Sequence, residues 1–164
     1  MIWQLSHRFD PLVVPLADRH YNRQHVGSPQ FVPPGRCFVL TAPEHDAFWV
    51  TSWPYAQYVK HAWAGAWMNS AFRSEAQAKY LSSDLIVQAI AATLAYWGDP
   101  PELGMVTFID TSKTRHKRDP GRCYRKAGFK PVGFTKGGLL ALQLLPSDMP
   151  EPEAALGSQM ELTA

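Results

Sequence analysis

A chain of 164 residues with a net charge of +2, 46% hydrophobic and 12% aromatic residues is suited to one packed domain that buries roughly two-thirds of its unfolded surface. That composition excludes a disordered chain, and no apolar run reaches about 18 residues without charge, which excludes a hydrophobic membrane-spanning helix. The start of the chain lacks the charged segment, apolar core and cleavage site of a secretory leader, so the expectation is a cytoplasmic protein without a membrane partner. Cys37 and Cys123 stand far apart in the sequence and match no disulfide framework or paired metal spacing; both are expected as small buried side chains.

Ile2–His7 alternates as a short opening strand. Asp10-Pro11 reads as a helix start, with Asp as cap and Pro at the first helical position. Leu12, Leu16, Arg19 and Arg23 follow at helical spacing, with Pro15 making the first turn irregular. His20 and Tyr21 end that helix. The next fifteen residues, NRQHVGSPQFVPPGR, form a loop long enough for a compact domain to suggest a binding role.

Cys37–Thr41 and Phe48–Ser52 are rich in β-branched and aromatic residues and are spaced as an antiparallel hairpin. Ala62–Met68 is expected as a strand with Trp63 and Trp67 on one face, and Asn69–Lys79 as a polar loop. Leu85, Ile86, Ala89, Ile90, Thr93, Leu94 and Trp97 recur at three and four residues, an amphipathic helix with Ser82 or Ser83 as its natural cap. A buried strand at Met105–Asp110, a basic loop at Thr111–Gly121 and a short helix at Arg122–Ala127 come next. Gly128 and Pro131 stop that helix, and strands around Phe129–Phe134 and Leu139–Leu144 close the domain. This order implies an α/β (α+β) domain over residues 1–145, built on a mixed, mostly antiparallel sheet with helices on both faces. Residues 146–164, with three prolines and four acids, are expected as a disordered tail.

Charge is unevenly distributed. Lys113, Arg115, Lys117, Arg118, Arg122, Arg125, Lys126, Lys130 and Lys136 place nine of the sixteen Lys and Arg residues within one segment against the single acid Asp119. Such a field attracts a polyanion, either nucleic acid or the phosphates of a cofactor.

The run Tyr124-Arg125-Lys126-Ala127-Gly128-Phe129, followed by Pro131-Val132-Gly133, resembles the C-terminal signature of the GNAT acyltransferases. The resemblance implies an acyl-CoA cofactor such as acetyl-CoA, with its thioester beside this helix and Tyr124 donating a proton to the departing thiolate. It also implies pyrophosphate at the turn before the long helix, here Leu81–Leu85, where helix amides and the dipole favour anions. Ordinary members carry glycines at that turn and this chain has none, so Arg73, Ser82 and Ser83 would take their place as cofactor contacts.

His20-Tyr21-Asn22, the stretch Gly27-Ser28-Pro29-Gln30-Phe31, Asp110-Thr111-Ser112 and the Tyr124 helix together resemble the Mom family of phage DNA-modification proteins, a GNAT branch without the glycine turn. Asn22 stands where that family often has Ser. The resemblance implies a transferase that adds a carbamoylmethyl group to the N6 amine of adenine in double-stranded DNA, protecting phage genomes from restriction in the host cytoplasm. It implies His20, Tyr21 and Asp110 as site residues. Iron has been implicated in the family as well as acyl-CoA, and His20, His25, His116 and Asp110 are the imidazoles and carboxylate available to it.

These residue types suit the chemistry. An exocyclic adenine amine is a poor nucleophile, so a base on its proton is needed; His20 can serve near neutral pH, with Asp110 taking the proton or orienting the ring, effects of about 10²–10⁴-fold. The base must leave the duplex stack, and Phe31, Tyr21 or Tyr55 could stack on it. Lys113, Arg115, Lys117, Arg118 and Arg122 could hold the flanking phosphates. Two other functions fit the same residues: a GNAT N-acetyltransferase acting on a small amine or a protein, and a non-enzymatic nucleic-acid-binding module, which fold alone does not exclude. The sequence leaves the oligomeric state open, a homodimer included.

Overall fold

The computed structural model describes residues 1–20, 23, 25–113 and 119–157. Seven strands form one open sheet in the order β1-β2-β3-β4-β5-β7-β6. They are β1 (Gln4–Leu5), β2 (Arg36–Thr41), β3 (Ala47–Trp53), β4 (Trp67–Ser74), β5 (Met105–Ile109), β6 (Lys130–Phe134) and β7 (Leu140–Leu144). All neighbouring pairs are antiparallel except β4 and β5, which run parallel. The domain is therefore α+β with a mostly antiparallel sheet, as the order of elements implied.

Helices cover both faces. The long helix α2 (Ser82–Trp97) buries Leu85, Ile86, Ala89 and Ile90 against Trp3, Phe38, Leu40, Trp49, Met105 and Leu142. The opposite face carries α1 (Val14–Asp18), whose Leu16 and Ala17 pack with Val39, Phe48 and Val50. The strands alternate accordingly: Phe38 and Leu40 point to one cluster and Val39 to the other, as a pleat requires. The short helix α3 (Arg122–Lys126) sits on the α2 side. Its Cys123, Tyr124 and Ala127 pack on the larger cluster.

Several expectations change. The first helix is only one turn, because Asp10 folds a preceding turn by accepting the amide of Leu12 and the hydroxyl of Ser6 instead of capping a continuous helix. Ala62–Ala66 is a turn rather than the start of a strand, and Asn69–Ser74, expected as loop, is the body of β4. Hydrophilic residues occur there because β4 borders an opening in the sheet. Neither Ser82 nor Ser83 caps α2; the N-cap is Leu81, with no side-chain bond. Gly128 does take the left-handed conformation expected after α3, at φ +109°.

Of the expected tail, residues 146–157 are described and pack against the domain, while residues 158–164 lie outside the described residues. Ala155 is buried, Leu156 bridges to Gln4, and backbone bonds join Leu156 to Trp3 and Leu5 and Glu153 to Ala91. Its apolar Ala155 and the free edge of β1 provide the partners that composition did not reveal. No described helix is long and apolar enough to cross a membrane.

Candidate functional site

The site follows from where β4 and β5 part. Their ladder holds only two registered pairs, Trp67 with Met105 and Met68 with Val106. At the next position the Thr107 hydroxyl reaches both the backbone oxygen and the Oδ1 of Asn69, each at 3.3 Å, where a further ladder step would lie. On the other side of β4 the pairing with β3 skips one residue: Val50 faces Ala71 but Thr51 faces Asn69, leaving Ser70 as the extra residue of a bulge. The strands consequently splay, and a cleft opens through the sheet.

Two cavities occupy that cleft. The first, about 410 Å³, lies on the α2 side and includes Arg73, Glu75, Ser82, Cys123 and Tyr124 in its wall. The second, about 760 Å³, lies on the α1 side and includes His25, Gln30, Phe31, Asp110 and Lys113. His20, Asn69, Ser70, Ala71 and Phe108 line both. Ligands entering from opposite faces would meet at these shared residues.

Of the residues inferred from sequence, His20 lies at the junction and Asp110 in the wall of the second cavity, so the two share one chamber. Asp110 Oδ1 accepts the Ser112 hydroxyl at 2.5 Å and the Ser112 amide at 3.0 Å. The Ser112 hydroxyl chiefly, with the amides of Ser112 and Lys113, holds its carboxyl below the usual range. Asp110 is thus a fixed carboxylate that anchors the start of the basic loop.

Tyr124 reaches the first cavity because α3 sits close to the sheet. Gly121 begins that helix at φ +79°, and a Cβ there would meet Ile109 Cδ1 at 2.7 Å and Leu142 Cδ1 at 2.9 Å. The Tyr124 ring stands edge-on to Phe129 at 5.4 Å and to Phe72 at 6.2 Å. Its hydroxyl donates to Asn69 Oδ1 at 2.5 Å. Asn69 was missed in the sequence because it was assigned to a loop; an isolated Asn after the Trp67-Met68 pair carries no signal of a bulge.

Arg73 and Ser82 line the first cavity, while Ser83 lies outside its wall. Arg73 Nε donates to Glu75 Oε2 at 2.8 Å, and Arg19 grips both oxygens of Glu75 at 2.8 Å. Arg19 first, then Arg73, hold the Glu75 carboxyl down to about 2. The first bond of α2 runs from Leu85 to Leu81, so the amides of Ser82, Ser83 and Asp84 take no helix bond; of these three residues Ser82 lines the cavity with Arg73. Cys123, expected to be buried, is half-buried in this wall, and Cys37 is half-buried beside Arg8.

Lys113 lines the second cavity, whereas Arg122 is exposed and outside both. Tyr21, Arg115, Lys117 and Arg118, together with His116, lie outside the described residues. Phe31 lines the second cavity and packs edge-on to Phe48 at 5.9 Å, with its side chain largely buried. Tyr55 is exposed against Tyr58 and lines neither cavity. His61 and Trp63 pack with tilted rings beside Phe108, and burial lowers the basicity of His61.

The second cavity owes its outer wall to Arg23. Its guanidinium pairs with Asp18 and donates to the carbonyls of Ser28 and Gln30, while Asp18 also accepts the Gly27 amide. Among the described residues, no group of three or more His, Cys, Asp and Glu is arranged to hold a metal ion. No protein-family model, curated protein or solved structure matches this chain.

Proposed function

We propose that this protein is a group transferase that joins a small carbon unit, carried as a CoA thioester, to an amine, and that the amine is the exocyclic N6 of adenine in DNA. The observation that carries this reading is the pair of cavities on opposite faces of the sheet, meeting at His20, Asn69, Ser70, Ala71 and Phe108. A two-substrate transfer needs such a chamber, since holding both reactants in contact supplies much of the rate.

The first cavity fits the phosphates of CoA through Ser82, at the start of α2, and the Arg73 guanidinium. When bound, CoA supplies a carbon activated by its thioester bond. The second cavity has the size for one extruded nucleobase, with Phe108 and Phe31 as apolar walls and His20, Gln30 and Asp110 as polar ones. His20 takes the proton that the amine loses as the new N–C bond forms and the thioester C–S bond breaks, and the CoA thiolate leaves. Lys113 begins a basic segment at the rim of that cavity and supplies charge for the flanking phosphates. The resemblance to the Mom family points to the same amine.

Release of free thiol from acetyl-CoA by the purified protein, with and without duplex DNA, tests the reading. The expected result is thiol release that requires DNA and falls on the order of 100-fold or more in His20→Ala. Release driven equally by a soluble amine without DNA would instead identify a small-amine acetyltransferase.

A further inference from the structure

We infer that Tyr55 and Tyr58 form a stacking platform for the unpaired nucleotides that border the extruded base, outside the chamber that receives it. The inference rests on the reading of DNA as substrate for its ligand, though not for the surface itself.

The surface is built by the connection between β3 and β4. Antiparallel neighbours need only about two to five residues to turn, whereas this chain makes an excursion from Trp53 to Trp67. The base of the excursion is fixed. The Trp53 indole N–H donates to Gly65 O at 3.2 Å, and the Trp53 ring packs on Trp67 at 5.9 Å and on Trp97 at 5.6 Å. Its crest is one turn of 3₁₀ helix, Ala56–Tyr58, in which the Tyr58 amide donates to Tyr55 O at 3.0 Å. A crest held in this way loses little freedom when a ligand binds.

On that crest Tyr55 is 63% exposed and Tyr58 74%. The two rings meet edge-to-face at 6.4 Å, a contact that engages no more than one ring face. Single exposed apolar residues are ordinary. A firmly held pair of exposed aromatics is instead the arrangement that stacks on nucleobases, because every base has a π-face whatever its identity.

Position and charge select the partner. A Cβ on Gly35 would meet Pro54 Cα at 3.9 Å, so the excursion starts beside Pro33 and Pro34 in the wall of the second cavity. Towards its end, His61 and Trp63 pack on Phe108, which lines both cavities. The excursion therefore borders the chamber at both ends, with the tyrosines between them and outside the chamber wall. No acid occurs in the sequence between Asp46 and Glu75. Exposed Lys60 follows Tyr58, and the exposed Arg36 guanidinium lies 4.1 Å over Trp53, so the charge here favours a phosphate backbone. Extruding one base leaves its neighbours unstacked on one side, and the tyrosine faces replace the lost stacking. The role expected of Tyr55 thus moves from the extruded base to the nucleotides beside it.

Photo-crosslinking of the purified protein to a single-stranded oligonucleotide carrying 5-iodouracil tests the contact without any turnover. The expected result is a crosslink at Tyr55 or Tyr58, identified by mass spectrometry; crosslinks confined to other residues would overturn the inference. Fluorescence anisotropy with the same oligonucleotide gives the energetics. Tyr55→Ala/Tyr58→Ala should bind on the order of tenfold more weakly or worse, and Tyr55→Phe/Tyr58→Phe should bind as wild type does. The salt dependence should be the same in all three, because no charge is removed. Unchanged affinity in the alanine variant, or a wild-type protein that binds no oligonucleotide, would overturn the inference. So would a wild-type dimer that the alanine changes convert to monomer with DNA affinity intact, which would assign the tyrosines to a second copy of this chain. Tyrosine-dependent binding by a protein that releases no thiol from acetyl-CoA would refute the transferase reading and leave the platform standing. DNA modification at the wild-type rate in the alanine variant would do the reverse.

Discussion

Glu75 shows how much a single residue binds together at this site. It joins Arg19, next to His20, to Arg73 on β4, and its carboxyl is held down to about 2 against an ordinary 4.5. A carboxyl whose folded value is depressed adds stability that is fully present above the unfolded value and disappears as pH falls through the folded one. Glu75→Gln should therefore be less stable than wild type at pH 6, by at most about 1 kcal/mol because the pair is partly solvated. The difference should shrink as pH drops below about 4.5 toward 2. Urea denaturation at pH 6, 4 and 3 reads this, and a difference independent of pH would contradict it. At the same scale, residue chemistry picked out His20 and Asp110, and both line one chamber. What it could not show is the hold of Ser112, two residues on, whose hydroxyl lowers the Asp110 carboxyl below its usual range. Asn69 was illegible for a different reason: its amide acts only because strand pairing skips Ser70, which is a property of two strands and not of a local run.

Elements were legible wherever periodicity reported burial on one face. The long helix, the β2–β3 hairpin, β5 and the closing strands appear where the apolar spacing put them. β4 failed that test because its second half borders the cleft, so its side chains alternate between a core and a chamber lined by polar groups. The C-terminal segment failed for a related reason: Pro- and Glu-rich composition signals weak local structure but says nothing of an available strand edge. Gln4–Leu5 would be the sheet's outer edge without the strap from Glu153 to Leu156, and Trp3 lies beneath it, wholly buried with its indole N–H on Leu85 O. Truncation after Met149 removes three backbone hydrogen bonds and should cost about 2 kcal/mol net of the entropy regained. Thermal melting reads the loss, and an unchanged midpoint would return this segment to the status of a tail.

On the scale of the whole molecule, one parallel pair in an otherwise antiparallel sheet governs the architecture. Splaying of β4 from β5 opens a passage between the two faces, α2 brings its N-terminus to one mouth, and the loop held by Arg23 walls the other. The fold class could be read from the order of elements, yet the passage could not, since it depends on where a ladder ends. Charge adds direction: Lys113, three residues after Asp110, lines the mouth on the α1 side, where a cation draws a polyanionic substrate. The account therefore stands on whether DNA is the substrate. Mass spectrometry of nucleosides from plasmid DNA, grown with the wild-type protein, with His20→Ala and with neither, decides this most directly. The account predicts a heavier deoxyadenosine that appears only with the wild-type protein, its mass increment identifying the added group. Unmodified nucleosides despite folded, abundant protein would contradict it.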